Sequence, residues 1–207
     1  MKSSEDSARK TVDKAMRLSH AFSVEHAEYS IGELSVALDM HKSVVSRLAS
    51  SLRDWGMLEK DEQTQRLRIG AGAFRVGSLY TRENHLIRIA KSKLESLVDK
   101  TGQSVHLTVL DGLQVLVVAT AESPNALRVI MRLGDYRHLH TTAAGKLFLS
   151  LGPESLRNHL NQLTDLPQIT PETISDPRKL QNALKKIQKE KLAWNRGENT
   201  VGAGAVG

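Results

Sequence analysis

The sequence predicts a multidomain fold in which a mainly helical N-terminal region precedes an α+β region. Apolar residues recur at helical spacing along the N-terminal third. Farther along the chain, apolar residues alternate at strand spacing before Asp111-Gly112, a strong hairpin signal, and a continuous apolar run typical of a buried strand follows it. Helical spacing then returns, and strands mixed with helices without strict βαβ alternation indicate an α+β domain.

The composition is that of an ordinary soluble globular protein, with 40% hydrophobic and 25% charged residues among 207. The chain has no cysteine, which excludes disulfides, thiolate nucleophiles and cysteine-based zinc sites and agrees with a reducing cytosol. No apolar run resembles a signal peptide or reaches the length of a membrane span. We therefore expect a cytoplasmic protein that does not bind membranes.

The net charge of +6 is not by itself evidence for nucleic-acid binding by the N-terminal region. Residues 1–70 contain 11 Lys and Arg and 11 Asp and Glu, so this region is neutral. Residues 71–207 contain 18 Lys and Arg and 12 Asp and Glu, so they carry the whole excess. A DNA-binding assignment in the first third must rest on where individual cations lie.

Two helices are expected in the first 40 residues. The first covers Ala8–Phe22, where apolar residues recur at close to helical period. The second follows Ser30-Ile31-Gly32-Glu33, a capping box in which serine and glutamate satisfy each other's backbone amides. It ends at Asp39-Met40, and a new helix can begin near Lys42.

The third helix has the clearest pattern in the chain. Its expected core stripe consists of Val45, Leu48, Leu52 and Trp55, and Gly56 ends it. The opposite face has hydroxyls and two cations without a carboxylate, which suits entry into the major groove. The DNA-contacting residues predicted on this helix are Lys42, Ser43, Val44, Ser46, Arg47 and Ser50.

A hairpin is expected next, because alternation surrounds the polar turn 61–65. Arg66 and Arg68 are predicted to share one face of its second strand, suited to grip backbone phosphates. Three helices and a basic-edged hairpin make a winged helix-turn-helix. The alternative is a small helical domain whose polar face is merely solvated.

Glycines at 70 and 72 break this pattern, and a linker helix follows. We expect three regions: a winged helix-turn-helix domain at 1–70, a linker helix at 71–84 and a second domain at 85–207. In the second domain, the expected elements are strands at Ser104–Leu110, Leu113–Thr120 and Leu127–Met131, and helices at Ala143–Leu149, Pro153–Leu163 and Asp176–Lys189.

The most unusual segment runs from Gly134 to Lys146, from a glycine turn through a short strand into a helix capped near Thr141 or Thr142. Small residues at a helix start leave amides accessible, and the helix dipole favours an anion there. One interpretation is a floor for a small carboxylate ligand. The other is a tightly packed strand-to-helix turn with capping threonines.

Catalytic and cofactor chemistry find little support in the sequence. His138 and His140 would share a strand face as some metal ligands do, but no third ligand is apparent. No Gly-x-Ser-x-Gly elbow or paired carboxylates are present, and the terminal 202–207 match to a dinucleotide motif lacks its strand and helix. We expect no cofactor, no metal and no catalytic residue. An enzyme or a metal-binding sensor using His138 and His140 remains the alternative.

The chain resembles the IclR family of bacterial transcription regulators along essentially its whole length. The matching segments are Ser43–Leu48, Trp55–Glu59, Leu67–Gly70, His138–Lys146, Thr170 with Thr173-Ile174, and Trp194-Asn195. The most specific of these is His138–Lys146. Asp39 departs from the family, which usually has glycine in the helix-turn-helix turn. Family members also continue past Gly207 with strands that close the pocket, so we expect an incomplete effector domain.

The resemblance implies a dimerising winged-helix domain, a linker helix and a GAF-like α+β effector domain. Family effectors are small metabolites, often organic acids. The residues that the resemblance places at the effector pocket are Gly134, Leu139, His140, Thr141, Thr142, Ala143 and Gly145. We therefore expect a sequence-specific DNA-binding repressor, a homodimer or dimer of dimers, that binds a palindromic double-stranded operator and responds to a small-molecule effector.

Overall fold

The computed structural model describes residues 2–126, 128–162 and 166–207, with side chains at all of these except 2–5 and 159–162. The chain divides into two compact units, one ending at Glu83 and the other running from Asn84 to Gly207. The elements of the first unit are α1 (Lys2–Ser19), α2 (Ile31–Ala37), α3 (Lys42–Asp54), β1 (Leu58–Lys60), β2 (Leu67–Ile69) and α4 (Ala71–Glu83).

The core of the first unit lies where helices α1, α2 and α3 meet the hairpin. Each helix contributes one fully buried side chain at 0% exposure, namely Leu18, Leu34 and Val45. The hairpin adds Leu58 and Leu67, which are almost as deeply buried. Burying a leucine or valine fully is worth about 1.5–3 kcal/mol, so these contacts fix the helices and the hairpin relative to each other. The predicted three helices and hairpin are confirmed.

Local hydrogen bonds set the turn between α2 and α3. The predicted capping box is present: Ser30 Oγ accepts the Glu33 amide at 3.2 Å, and Glu33 Oε2 accepts the Ser30 amide at 2.7 Å. Asp39 adopts the left-handed conformation with φ 51°, as expected for a residue in the glycine position. Ser35 Oγ donates to the Met40 carbonyl at 2.6 Å, which closes the turn.

Trp55 does not belong to the core, and the prediction that it does is wrong. Its side chain is 82% exposed, whereas Leu58 is 2% exposed. The cause is the end of the helix: Trp55 is the C-cap residue, and Gly56 follows in the left-handed conformation with φ 68°. The helix therefore ends before Trp55 can join the apolar stripe, and Leu58, the first residue of β1, fills the core instead.

The second unit is α+β, as predicted. Its elements are α5 (His85–Thr101), β3 (Val105–Asp111), β4 (Gln114–Ala121), β5 (Tyr136–His138), α6 (Ala143–Leu151), α7 (Glu154–Gln162), α8 (Pro177–Glu190), β6 (Trp194–Arg196) and β7 (Gly204–Val206). An antiparallel sheet has the order β3-β4-β5, and β6 pairs with β7 in a separate antiparallel sheet. The predicted Asp111-Gly112 hairpin is confirmed, with Asp111 opposite Gln114. The predicted helix 153–163 corresponds to α7, and Leu163 lies outside the described residues.

The predicted strand Leu127–Met131 is wrong for residues 128–131, and Leu127 lies outside the described residues. The third strand is β5, whose His138 lies opposite Gln114. Next to β5, the Val117 backbone bonds with Gly134 and Asp135 at 2.9 and 3.0 Å. An apolar alternation becomes a strand only where a neighbouring edge offers hydrogen bonds, and β5 with its preceding turn occupies this edge of β4.

Helix α6 organises the core of the second unit. It packs on α8 and contacts β3, β4 and β7. The shared core includes Val115, Leu149, Leu180 and Ala193, each no more than 2% exposed. None of the helices in the described part of the chain is long and apolar enough to span a membrane.

Candidate nucleic-acid interface and effector site

Helix α3 presents the predicted DNA-contacting face to solvent. Its buried residues are Val45, Leu48 and Ala49, which pack into the core of the first unit. The residues exposed on the other side are Lys42, Ser43, Ser46, Arg47 and Ser50, while Val44 is half-buried. The separation follows from the helical period, which places the two sets on opposite sides of one cylinder.

The cations on this face are available for binding. Across the described residues, the side chains of Lys42, Ser46 and Arg47 have no hydrogen bond or ion pair. Helix α3 also has no acidic residue in its first turn. Unpaired cations and hydroxyls on one exposed helix face are suited to base edges and phosphates in a major groove.

His41 is a functional candidate that sequence reasoning missed. It is the N-cap of α3, and its Nδ1 accepts the Ser43 amide at 3.4 Å and lies 2.9 Å from Ser43 Oγ. Ser, Thr, Asp and Asn are the usual capping residues, so the sequence carried little signal for this role. The exposed imidazole lies at the start of the predicted DNA-contacting face, next to Lys42.

The wing arginines are already paired with carboxylates. Arg66 Nη2 donates to Glu33 Oε2 at 2.7 Å and to the Glu28 carbonyl at 3.2 Å. Hydrogen bonds from the Ser30 backbone and from Arg66 lower the pKa of Glu33. Arg66 precedes β2, so the prediction that it lies on that strand is wrong. It joins the wing to the start of α2.

Arg68 does lie on β2, opposite Glu59 of β1. Its Nη2 is 3.3 Å from Glu59 Oε2. The other oxygen of Glu59 accepts the amide of Ala71, the first residue of α4, at 3.2 Å. Contact of Arg68 with a phosphate would therefore compete with its ion pair to Glu59. That ion pair is weak, because it joins half-exposed side chains on the surface.

In the second unit, the predicted effector residues other than Gly134 lie at the start of α6. Leu139, His140 and Thr141 form a short 3-10 turn, and Thr142 caps α6 by accepting the Gly145 amide at 3.0 Å. The predicted cap near Thr141 or Thr142 is confirmed. Gly134 is apart from these residues, in an exposed turn before β5 with φ 85°.

Most of these residues are buried and bound to other parts of the same unit. Thr141 Oγ1 donates to Asn199 Oδ1 at 3.1 Å, and Asn195 Nδ2 donates to the Thr141 carbonyl at 2.9 Å. A Cβ added at Gly145 would lie 2.6 Å from Leu139 Cα, so helix and turn approach as closely as glycine permits. The segment is therefore a buried and closely packed turn rather than the open lining of a pocket.

His138 and His140 do not share a strand face. His138 ends β5, whereas His140 lies in the 3-10 turn, with ring centroids 5.5 Å apart. His140 Nε2 is 2.9 Å from the Pro167 carbonyl, and burial lowers the pKa of this imidazole. Within the described ranges, no group of three or more histidine, aspartate or glutamate side chains is arranged to hold a metal ion.

A cavity of about 350 Å³ lies beside the turn that precedes α6. Its lining residues come from four separate segments and are Gln114, Tyr136, Arg137, His138, Ile169, Asn199 and Thr200. None of the predicted effector residues lines it, although His138 precedes them directly. The Arg137 guanidinium is 2.8 Å from Asp135 Oδ2, so the one cation in the lining is already neutralised. No local sequence pattern links these segments, and sequence reasoning missed them.

A buried ion pair stands one turn into α6. Lys146 Nζ lies 2.7 Å from both carboxylate oxygens of Glu198. The Glu198 amide donates to Asn195 Oδ1 at 2.9 Å, and the Glu198 carbonyl accepts Thr173 Oγ1 at 2.7 Å. The contact with Lys146 fastens the segment after β6 to α6, and the other two bonds hold Glu198 to β6 and to Thr173.

Two family models match the chain, each over one region. The model of the IclR helix-turn-helix domain matches residues 11–62. The model of the bacterial transcriptional regulator IclR C-terminal region matches residues 78–207, more than half of the chain.

Curated relatives agree with these models. The HTH-type transcriptional regulator BhcR of Paracoccus denitrificans is 31% identical over 194 residues, covering 93% of this chain and 69% of the relative. The HTH-type transcriptional repressor AllR of Escherichia coli K12 is 27% identical over 178 residues, covering 86% of this chain and 65% of the relative.

Solved structures share the fold. A crystal structure of an IclR-type transcriptional regulator from Silicibacter sp. TM1040 has a TM-score of 0.85 and 27% identity, covering 95% of this chain and 77% of that chain. An IclR homologue from Microbacterium hydrocarbonoxydans, complexed with 4-hydroxybenzoate, has a TM-score of 0.77 and 18% identity, covering 95% and 81%. At 18% identity the likeness is one of fold. With both family models matched and a relative above 30% identity, the chain belongs to the IclR family of bacterial transcriptional regulators.

Proposed function

We propose that this chain is a repressor that reads double-stranded DNA with helix α3 and is controlled by a small organic acid bound in its second unit. The observation that carries the DNA assignment is the exposed face of α3, where Lys42 and Arg47 are unpaired among the described residues. Repression is supported by the likeness to AllR, which is named a repressor.

The proposed regions are a DNA-binding domain at 1–70, a linker helix at 71–84 and an effector domain at 85–207. The residues proposed to contact DNA are Lys42, Ser43, Val44, Ser46, Arg47 and Ser50 on α3, with Arg66 and Arg68 on the wing. Because the wing arginines are paired with Glu33 and Glu59, α3 carries most of the proposed contact. A regulator of this family works on bacterial DNA, so we place it in the cytoplasm and assign it no catalytic role.

We propose a homodimer, or a dimer of dimers, because α4 leaves apolar side chains uncovered. None of its 13 residues, all of them described, is buried. Phe74 is 78% exposed, and Val76, Leu79 and Tyr80 are each about half exposed. A helix face of this kind gains stability when a second copy covers it. A two-fold dimer fits a palindromic operator whose half-sites lie about 34–36 Å or a multiple apart.

The effector site is proposed at the start of α6, beside the cavity of about 350 Å³. The residues assigned to it are Gly134, Leu139, His140, Thr141, Thr142, Ala143 and Gly145. Apart from the exposed Gly134, the assigned residues are buried there and would support a bound acid from beneath rather than surround it. A helix N-terminus favours an anion, which agrees with an organic acid, and one homologue of the same fold is complexed with 4-hydroxybenzoate. Control of DNA binding requires that the acid bind the DNA-competent and DNA-incompetent arrangements with different affinities.

The DNA assignment is tested with an operator selected by the wild-type chain from a pool of random duplexes. We expect Arg47→Ala to weaken operator binding by about 1–3 kcal/mol and to relax specificity at one position. The matched control is Arg9→Ala, which removes the same charge from an exposed position on α1 of the same unit, outside the residues predicted to contact DNA. Operator affinity unchanged by Arg47→Ala, or lowered equally by both variants, would contradict the assignment.

The effector assignment is tested by the thermal unfolding of the full chain with 4-hydroxybenzoate and other small organic acids. A stabilising acid should also change operator affinity, because the two sites are coupled. An acid that is chemically turned over, or a stoichiometric metal retained on purified protein, would instead support the enzyme or metal-sensor alternative at His138 and His140.

A further inference from the structure

Helix α8 presents a basic strip to solvent. We use this name for five exposed cations, namely Arg178, Lys179, Lys185, Lys186 and Lys189. The opposite side of α8 is buried through Leu180, Leu184 and Ile187, which hold the helix in the core of the second unit. The orientation of the strip is therefore fixed by packing.

The five cations form one continuous surface. At about 100° per residue they fall within a sector of about 120°, and at 1.5 Å per residue they extend over about 16 Å. Among the residues that the structure describes, only Lys186 has an ion-pair partner, Glu190, at 3.8 Å between highly exposed side chains. A contact of that length on the surface neutralises little charge.

Most of the protein's net charge lies here. Residues 176–191 contain six Lys and Arg and two Asp and Glu, an excess of four against +6 for the chain. Residues 1–70, which include α3, are neutral. The unit proposed to read DNA therefore lacks the excess of cations that produces sequence-independent affinity for phosphates.

The side chains of the strip indicate the kind of partner. The other exposed residues of α8 are Asn182, Gln188 and Glu190, so the exposed surface of this helix has no aromatic or aliphatic anchor. Protein interfaces are depleted in lysine and depend on buried Tyr, Trp and Arg anchors. Phosphate backbones are bound through lysine and arginine without such anchors.

We propose that the α8 basic strip binds the phosphate backbone of duplex DNA without regard to sequence, as a second DNA contact besides α3. The identification of the bound polyanion as DNA rests on the proposed function. The existence of the basic strip follows from the structure alone. Such a contact would supply affinity for any duplex, while α3 supplies the discrimination between sequences.

The test uses the full chain and a random-sequence duplex that lacks the operator. Dissociation constants are measured by fluorescence anisotropy between about 50 and 200 mM salt. We expect the triple variant Lys185→Gln, Lys186→Gln, Lys189→Gln to lower the slope of log affinity against log salt by up to about 2.7, since each lost phosphate contact removes about 0.9. Affinity at the lowest salt should fall on the order of tenfold or more.

The matched control is Lys91→Gln, Lys93→Gln, Lys100→Gln, which removes three exposed lysines from α5 of the same unit. It has the same net charge as the α8 variant and should keep the wild-type slope. Equal losses in the two triple variants would reduce the effect to overall charge and overturn the proposal, as would an unchanged slope in the α8 variant. If polyglutamate displaced the duplex as effectively as competing DNA does, the strip would be a site for acidic proteins instead.

Failure of this inference is distinguishable from failure of the proposed function. An Arg47-dependent operator affinity with an unchanged α8 slope would overturn the basic strip alone. A salt slope that depends on α8, with operator affinity indifferent to Arg47, would leave the strip and overturn α3 as the reading helix.

Discussion

The Nζ atom of Lys146 lies 2.7 Å from both carboxylate oxygens of Glu198, although 52 residues separate the two in the chain. Both side chains are buried, at 4% and 9% exposure. Burial leaves each charge little access to solvent, so each depends on the other. The pair ties α6 to the segment after β6 in the unit that we assign to the effector.

Lys146→Met should destabilise the second unit by about 3–5 kcal/mol, because it leaves the Glu198 carboxylate buried without a counter-charge. Glu198→Gln should also destabilise it, since the ammonium then loses its anion. Urea unfolding followed by circular dichroism measures both effects.

The double variant Lys146→Met, Glu198→Gln serves as the control for that pair. It buries no unpaired charge, so its loss should be smaller than the sum of the two single losses. Strictly additive losses would show that the two side chains do not interact energetically, in disagreement with the geometry.

His41 should stabilise α3 as its N-cap, and two substitutions distinguish the capping role from other roles of the imidazole. His41→Asn keeps a capping side chain and should leave the stability of the first unit nearly unchanged. His41→Ala should cost about 0.5–2 kcal/mol, because the Ser43 amide then loses its acceptor. Thermal unfolding of both variants gives the comparison, and equal stability of the two would show that the cap contributes nothing.

Gly145→Ala should destabilise the second unit by about 1–3 kcal/mol or more, because the new methyl group would overlap the Leu139 backbone. The comparison variant is Gly77→Ala, which adds the same methyl group to α4, where no atom lies within 4 Å. That change should be neutral or stabilise by up to about 1 kcal/mol. A tolerated Gly145→Ala, judged by its melting temperature, would mean that turn and helix are not closely packed.

The stability of the second unit should fall as the pH drops from about 7.5 to about 5. Burial lowers the pKa of His140, and burial also lowers the pKa of His106 on β3. Below the ordinary imidazole pKa, the unfolded chain therefore binds more protons than the native one. The stabilising contribution is complete above about pH 6.5 and is lost as the pH falls through the native pKa of each imidazole, by at most about 1.4 kcal/mol per pH unit per histidine.

Unfolding free energies of the wild type and His140→Gln at several pH values check this dependence. The variant replaces the imidazole that packs against the Pro167 carbonyl and should be less stable at neutral pH, but its stability should vary less with pH. A wild-type stability that rises on acidification would have the wrong sign and would contradict the buried neutral state of His140.

Several local features could be predicted from the sequence because neighbouring residues create them. The capping box of Ser30 and Glu33, the hairpin at Asp111-Gly112 and the cap of Thr142 all formed as predicted. Each requires only atoms a few residues apart, so local spacing contains the necessary information.

The predictions that failed depended on where the chain goes next. Trp55 continued the helical stripe in the sequence, yet Gly56 turned the chain and left it exposed. Residues 128–131 had strand alternation, but β5 occupied the edge of β4. Periodicity describes a face, whereas burial depends on a partner surface that the period does not specify.

The sequence by itself determined most of the helices, both hairpins before residue 121, the exposed face of α3 and, through its motifs, the family. Only the tertiary structure decided that Arg66 joins Glu33, that Lys146 joins Glu198, and that residues 139–143, each predicted to contact the effector, are buried. The physical reason is distance along the chain: caps and helix faces arise within one or two turns. Ion pairs and cavities require segments brought together from far apart, and the packing of the whole unit does that.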